Sequence, residues 1–80
     1  LKNPVKNNLE FSIDFKSDDN LLIELYDANG RFVKQLSREI IKTNGTQKQY
    51  KFPVIDLATG IYFLDFHNNS GRQTVKFIKQ

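Results

Sequence analysis

The stretch 25-LYDANGRFV-33 packs the end of an apolar run, a polar turn and the start of a second apolar run into nine residues. Asp27 can hydrogen-bond to the backbone ahead of it, and Asn29 or Gly30 can adopt a positive φ at little cost. That chemistry predicts a tight hairpin and, around it, a chain of strands. Upstream, 21-LLIELYD-27 supplies the first arm, with Leu21, Ile23 and Leu25 on one face and Leu22, Glu24 and Tyr26 on the other. Downstream, 31-RFVKQLSREII-41 has apolar residues at 33, 36, 40 and 41, a spacing that a helix could also use. No helix cap precedes Arg31, so the expectation is a strand carrying a bulge.

The same grammar extends to both ends. In 9-LEFSIDF-15, Leu9, Phe11, Ile13 and Phe15 alternate with Glu10, Ser12 and Asp14, the period of a half-buried strand. Gln47 to Phe52 alternates again, and Pro53 disfavours its continuing as a central strand. After 57-LATG-60, 61-IYFLDF-66 is the most apolar run and the expected central strand; 68-NNSG-71 then turns into 72-RQTVKFIK-79. About six to seven short strands with turns at such spacing predict an all-β, small immunoglobulin-like β-sandwich of mostly antiparallel pairing. The expected organisation is one domain over 1–80, with 1–7 as lead-in and 8–80 as the sandwich. The last strand should be pinned into a sheet.

Composition narrows the function. Eighty residues with 39% hydrophobic content, seven Phe and three Tyr suit one small folded unit with a well-made core. The absence of Cys excludes disulfides, thiol catalysis and zinc–thiolate sites. A net charge of +3, with Lys and Arg scattered among nine acids, lacks the clustered basic face of a nucleic-acid binder. No run approaches membrane-spanning length. A chain opening on Leu1 is expected to be a piece of something longer.

The search for chemistry ends without a site. His67 is the only His, two residues from Asp65 on one strand, and the expected role is structural. Ser70 lies in a hairpin turn. Asp18, Asp19 and Asn20 carry oxygen ligands of the kind calcium takes, without the spacing of a recognised loop. Asn44-Gly45-Thr46 and Asn68-Asn69-Ser70 meet the minimal N-glycosylation pattern, which here signals exposure. The expectation is no enzyme, no cofactor and no metal. A carbohydrate-binding or adhesive module remains the alternative, if Tyr26, Tyr50, Tyr62 or several Phe residues stand exposed and coplanar.

Several short motifs follow one another in order: Asn3-Pro4-Val5; Leu25-Tyr26-Asp27 with Gly30-Arg31 and Val33; Leu57-Ala58-Thr59-Gly60 with Tyr62 and Leu64; Gly71; and Lys76-Phe77-Ile78-Lys79. In this order and spacing they resemble the C-terminal sorting domain, type A, of cargo proteins secreted by the type IX system of Bacteroidota. The resemblance covers essentially the whole chain, although only the Asn-Pro half of the usual aromatic-Pro-Asn-Pro lead-in is present. It implies a non-enzymatic address label that carries an attached cargo from the periplasm through the outer membrane to the cell surface or medium. The implied partners are the outer-membrane secretion machinery, the upstream cargo and, in many members, a sortase-like cysteine peptidase that cuts before the domain. Pro4, Asp27, Gly30, Gly60 and Gly71 are expected to define turns and fold. Arg31, Val75, Lys76, Phe77, Ile78 and Lys79 are the expected partner-recognition residues, in a chain expected to be monomeric.

Overall fold

A computed structural model describes residues 3–43 and 45–80. Six strands follow in chain order: β1 (Asn8–Phe15), β2 (Asp19–Asp27), β3 (Phe32–Ile41), β4 (Thr46–Pro53), β5 (Gly60–Asn68) and β6 (Gly71–Lys79). They form two packed sheets, one of β1 and β4 and one in the order β3-β2-β5-β6, with every named pair antiparallel. This is the small β-sandwich that alternation and turn spacing predict, with six strands.

The hairpin at 25–33 forms as its residues dictate. Gly30 donates its N–H to the Asp27 carbonyl at 3.0 Å, and Asp27 donates to the Arg31 carbonyl at 2.9 Å. The Asp27 carboxylate accepts from the N–H groups of Asn29 and Arg31, each at 2.9 Å. Gly30 takes φ +78°, where a side chain would be strained. The β5–β6 hairpin repeats the device with Asn68, whose side-chain oxygen accepts from Ser70 and Gly71 while Gly71 takes φ +140°. β3 is a strand, and its pairing with β2 skips Leu36 and Val33. Those two bulges explain why its apolar spacing imitates a helix: each extra residue shifts the alternation by one. Pro53 closes β4.

The core lies between the sheets. Leu21, Ile23 and Leu25 of β2, Leu64 of β5 and Phe77 of β6 are buried against Leu9 and Phe15 of β1, Tyr50 of β4 and Val54. Phe11 ties the sheets together, stacking on Tyr50 and meeting Phe66 edge-on, with both centroid distances 5.4 Å.

The two sides of the sandwich close differently. On the β3–β4 side, Glu39 accepts hydrogen bonds from Ser37 (3.0 Å) and the Tyr50 hydroxyl (2.8 Å) and pairs with Lys48. The Lys48 ammonium, with Tyr50 and Ser37, holds the Glu39 carboxyl below the usual range despite burial; burial and then Glu39 push the Tyr50 phenol up. On the β1–β6 side, Val5 forms a parallel bridge to Lys79. The Val5 N–H donates to the Ile78 carbonyl, the Gln80 N–H to the Val5 carbonyl, and the Ile78 N–H to Asn3 Oδ1. The lead-in thus covers the last residues of β6, and β6 is otherwise the edge of its sheet.

The outer face of the four-stranded sheet

Alternation along each strand sends half the side chains of the larger sheet away from the core. Register then aligns them. Tyr26 lies opposite Phe32 on one side and Phe63 on the other, and Phe63 lies opposite Lys76. One row therefore crosses all four strands: Phe32, Tyr26, Phe63, Lys76. Ile61 and Ile78 face each other alongside it. Phe32 is 56% exposed, Ile61 41% and Ile78 43%, so the row is an apolar surface without a covering layer among the described residues. Arg31 precedes Phe32 with its side chain 77% exposed and its guanidinium 3.4 Å from the Asp27 carboxylate. The Arg31 N–H chiefly holds the Asp27 carboxyl below its ordinary value against partial burial, and the Asn29 N–H and the Arg31 guanidinium add to this.

The other half of this face is polar and closed. Asp65, 2% exposed although it points away from the core, accepts from the Arg72 guanidinium at 2.6 Å and from the Thr74 hydroxyl. Burial pushes its carboxyl up, but Thr74 and Arg72 together outweigh that and leave it below the ordinary value. Glu24 accepts from the Tyr26 hydroxyl at 3.2 Å. His67 Nε2 lies 3.5 Å from Glu24 and 3.7 Å from Asp65, buried and without a hydrogen-bond partner. His67 and Asp65 therefore share a face, as their spacing predicts, and the carboxylate is already engaged by Arg72 and Thr74.

The residues expected to recognise a partner divide between two faces. Arg31, Lys76 and Ile78 lie on the open face, in or beside the apolar row. Phe77 is fully buried, Val75 is half-buried beside it, and Lys79 is 6% exposed with its ammonium donating to the Gln80 carbonyl at 2.7 Å. These three hold β6 against the core. Sequence reasoning missed Phe32, Tyr26 and Phe63 as members of the row, because nothing in their local patterns shows that three separate strands set them side by side.

Other candidates resolve into structure. Asp18 accepts from the Thr43 N–H, and Asp19 from the N–H groups of Asn20 and Asn69, so one oxygen of each carboxylate is spent on backbone, and the other Asp18 oxygen lies 3.6 Å from the Lys42 ammonium. Among the described residues no group of three or more His, Cys, Asp or Glu could hold a metal ion. Asn44 of the first glycosylation triplet lies outside the described residues. Tyr50 and Tyr62 are core residues, and Tyr26 meets Phe32 at 76°, edge to face, so these rings do not form a coplanar platform for a sugar.

No curated protein and no solved structure matches the chain. A family model described as a secretion system C-terminal sorting domain matches residues 3–80. The match covers nearly the full length and brings with it a non-enzymatic role, a secretion and cell-surface context and association with type IX secretion machinery. An all-β module with an open apolar face fits that role, and the chain belongs to the secretion system C-terminal sorting domain family.

Proposed function

We propose that the secretion machinery docks on the open half of the outer face, with Phe32, Tyr26, Phe63 and Ile78 as apolar anchors and Arg31 and Lys76 as charged flanks. The observation that supports this is the row itself: four strands contribute to one apolar surface on the solvent side of a finished sandwich. Recognition surfaces favour aromatic and Arg anchors with a polar rim, and this face has that composition. Val75, Phe77 and Lys79 contribute by holding β6 in register, so that Lys76 and Ile78 are presented correctly.

In this reading residues 1–80 act as one sorting unit and as a monomer. The attached cargo lies upstream, crosses the periplasm with the domain, and reaches the cell surface or medium. A sortase-like cysteine peptidase then cuts before or near the lead-in. The unit supplies shape and surface; the chemistry of cleavage belongs to the peptidase.

The test is export of a soluble reporter fused ahead of residues 1–80 in a Bacteroidota host with an intact type IX system. The wild-type fusion is expected on the surface or in the medium. A fusion stopping after Thr74 is expected to stay periplasmic, but it also removes the buried Phe77 and so tests folding together with recognition. The double substitution Lys76→Glu/Ile78→Ser alters only exposed side chains and separates the two. A folded double variant exported like wild type would overturn the docking face, whereas a folded wild-type fusion that stays inside would overturn the sorting role.

A further inference from the structure

Beyond the part of β6 that the lead-in covers, the sandwich is open along the side flanked by β1 and β6. A groove of about 380 Å³ runs there, lined by Phe11, Ile13 and Phe15 of β1, Leu64 and Phe66 of β5 and Val75 of β6. Gln73 and Val75 form its β6 wall, next to a strand edge whose hydrogen-bonding groups are unpaired among the described residues. Ile78 spends its N–H and carbonyl on the lead-in, and Gln80 donates to it as well, so both direct these groups away from β5. In an antiparallel ladder this direction alternates with period two, which puts the N–H and carbonyl groups of Thr74 and Lys76 on the same open side. Among the described residues the lead-in reaches β6 only through Asn3 and Val5, at Ile78 to Gln80.

We infer that the open edge of β6 at Thr74 and Lys76 binds an extended peptide strand whose side chains alternate between apolar and acidic. The backbone groups of the edge call for another peptide backbone, and strand addition supplies one. Alternate side chains of the added strand then point into the groove, where apolar ones fit. The others lie on the outer face beside Lys76, which favours a carboxylate, whereas Arg72 on the same face is already paired with Asp65. The β1 rim offers Ser12 and Asp14 instead, so the cationic border belongs to β6 alone. A second copy of this chain is a poor occupant. Antiparallel pairing of two β6 edges about Thr74 would set Lys76 of each copy opposite an Arg72 already held by Asp65, so neither copy supplies Lys76 with a free carboxylate. The inference shares Lys76 with the docking face proposed above, but it is carried by the strand edge and the groove, which that face does not use.

The experiment is titration of the isotopically labelled 80-residue chain with synthetic peptides of about nine residues, a usual strand length. One alternates Glu and Val; a second alternates Lys and Val. The Glu peptide should shift the amide signals of Thr74 and Lys76 and the methyl signals of Ile13 and Val75, and it should bind at least roughly tenfold more tightly than the Lys peptide. Lys76→Pro removes one edge N–H without touching the ladder to β5 and should abolish binding. Should that variant fail to fold, Lys76→Glu, at an exposed side chain, is expected to narrow or reverse the preference between the peptides. Absence of any shift, equal binding of both peptides, or unchanged binding by a folded Lys76→Pro chain would overturn the inference. So would a Lys76 amide already protected from exchange in the free monomer, or a concentration-dependent dimer formed through β6.

Discussion

The two faces of β6 differ as much as any two surfaces of this molecule. On its inner face Val75, Phe77 and Lys79 meet the core; on its outer face Arg72, Thr74, Lys76 and Ile78 meet solvent. The inner set is packed and its polar group is satisfied, so its contribution is to stability. The outer set itself divides: Arg72 and Thr74 are committed to Asp65, whereas Lys76 and Ile78 have no partner of that kind among the described residues. One strand can thus hold the fold with one face and leave the other open to solvent. Removing the strand changes both at once, but single substitutions separate them.

The comparison breaks first at Phe77. Phe77→Ala removes a fully buried ring and is expected to lower stability by about 3–5 kcal/mol, a large share of the ~5–15 kcal/mol of an ordinary domain. Urea denaturation measures it, and export should fail with the fold. A loss below about 1 kcal/mol would mean that the inner face is not the structural one.

Asp65 tests the boundary between the closed and open parts of the outer face. Asp65→Ala leaves the Thr74 hydroxyl and the Arg72 guanidinium without their acceptor and should cost about 1–3 kcal/mol. The pH dependence has a definite sign. The folded Asp65 carboxyl lies below its unfolded value of about 3.9, so its stabilisation is fully present above that value. It is lost as pH falls through the lower folded value, because the unfolded chain binds the proton first. Glu39 acts in the same direction. Stability measured from pH 6 downward should therefore decline on the acid side in the wild type and decline less in Asp65→Ala; identical slopes would rule out Asp65 as a contributor.

Tyr50→Phe is a smaller perturbation on the opposite side of the sandwich. It removes the hydroxyl that donates to Glu39 and should cost about 0.5–1.5 kcal/mol while leaving the ring packed on Phe11. Smallest of all is the outer pair. Lys76→Glu/Ile78→Ser should change stability by no more than about 0.5 kcal/mol per site. Its large effect is expected on export, so a substantial loss of stability would show that this face too is structural.

Much of this is legible in the residues. The alternation of Leu9, Phe11, Ile13 and Phe15, the Asp27–Gly30 and Asn68–Gly71 turns and the Pro53 stop are local, and local chemistry decides them. Arg31-to-Ile41 is harder, since two bulges break the period that identifies a strand. Lys79 is less legible still: a terminal lysine reads as a surface charge, yet its stem is buried where Val5 covers the strand end and its ammonium finds a carbonyl.

The sequence by itself determined the strands, their turns, the sandwich class and, through motifs in register, the family. Only the tertiary structure decided which strands are edges, that Asn3 and Val5 of the lead-in cap the end of β6, and that Phe32, Tyr26, Phe63 and Lys76 form one row. The reason is physical. Alternation assigns a side chain to one of two faces, but its neighbours across a sheet are set by pairing between segments as far apart as residues 26 and 63, and that register exists only once the strands have met.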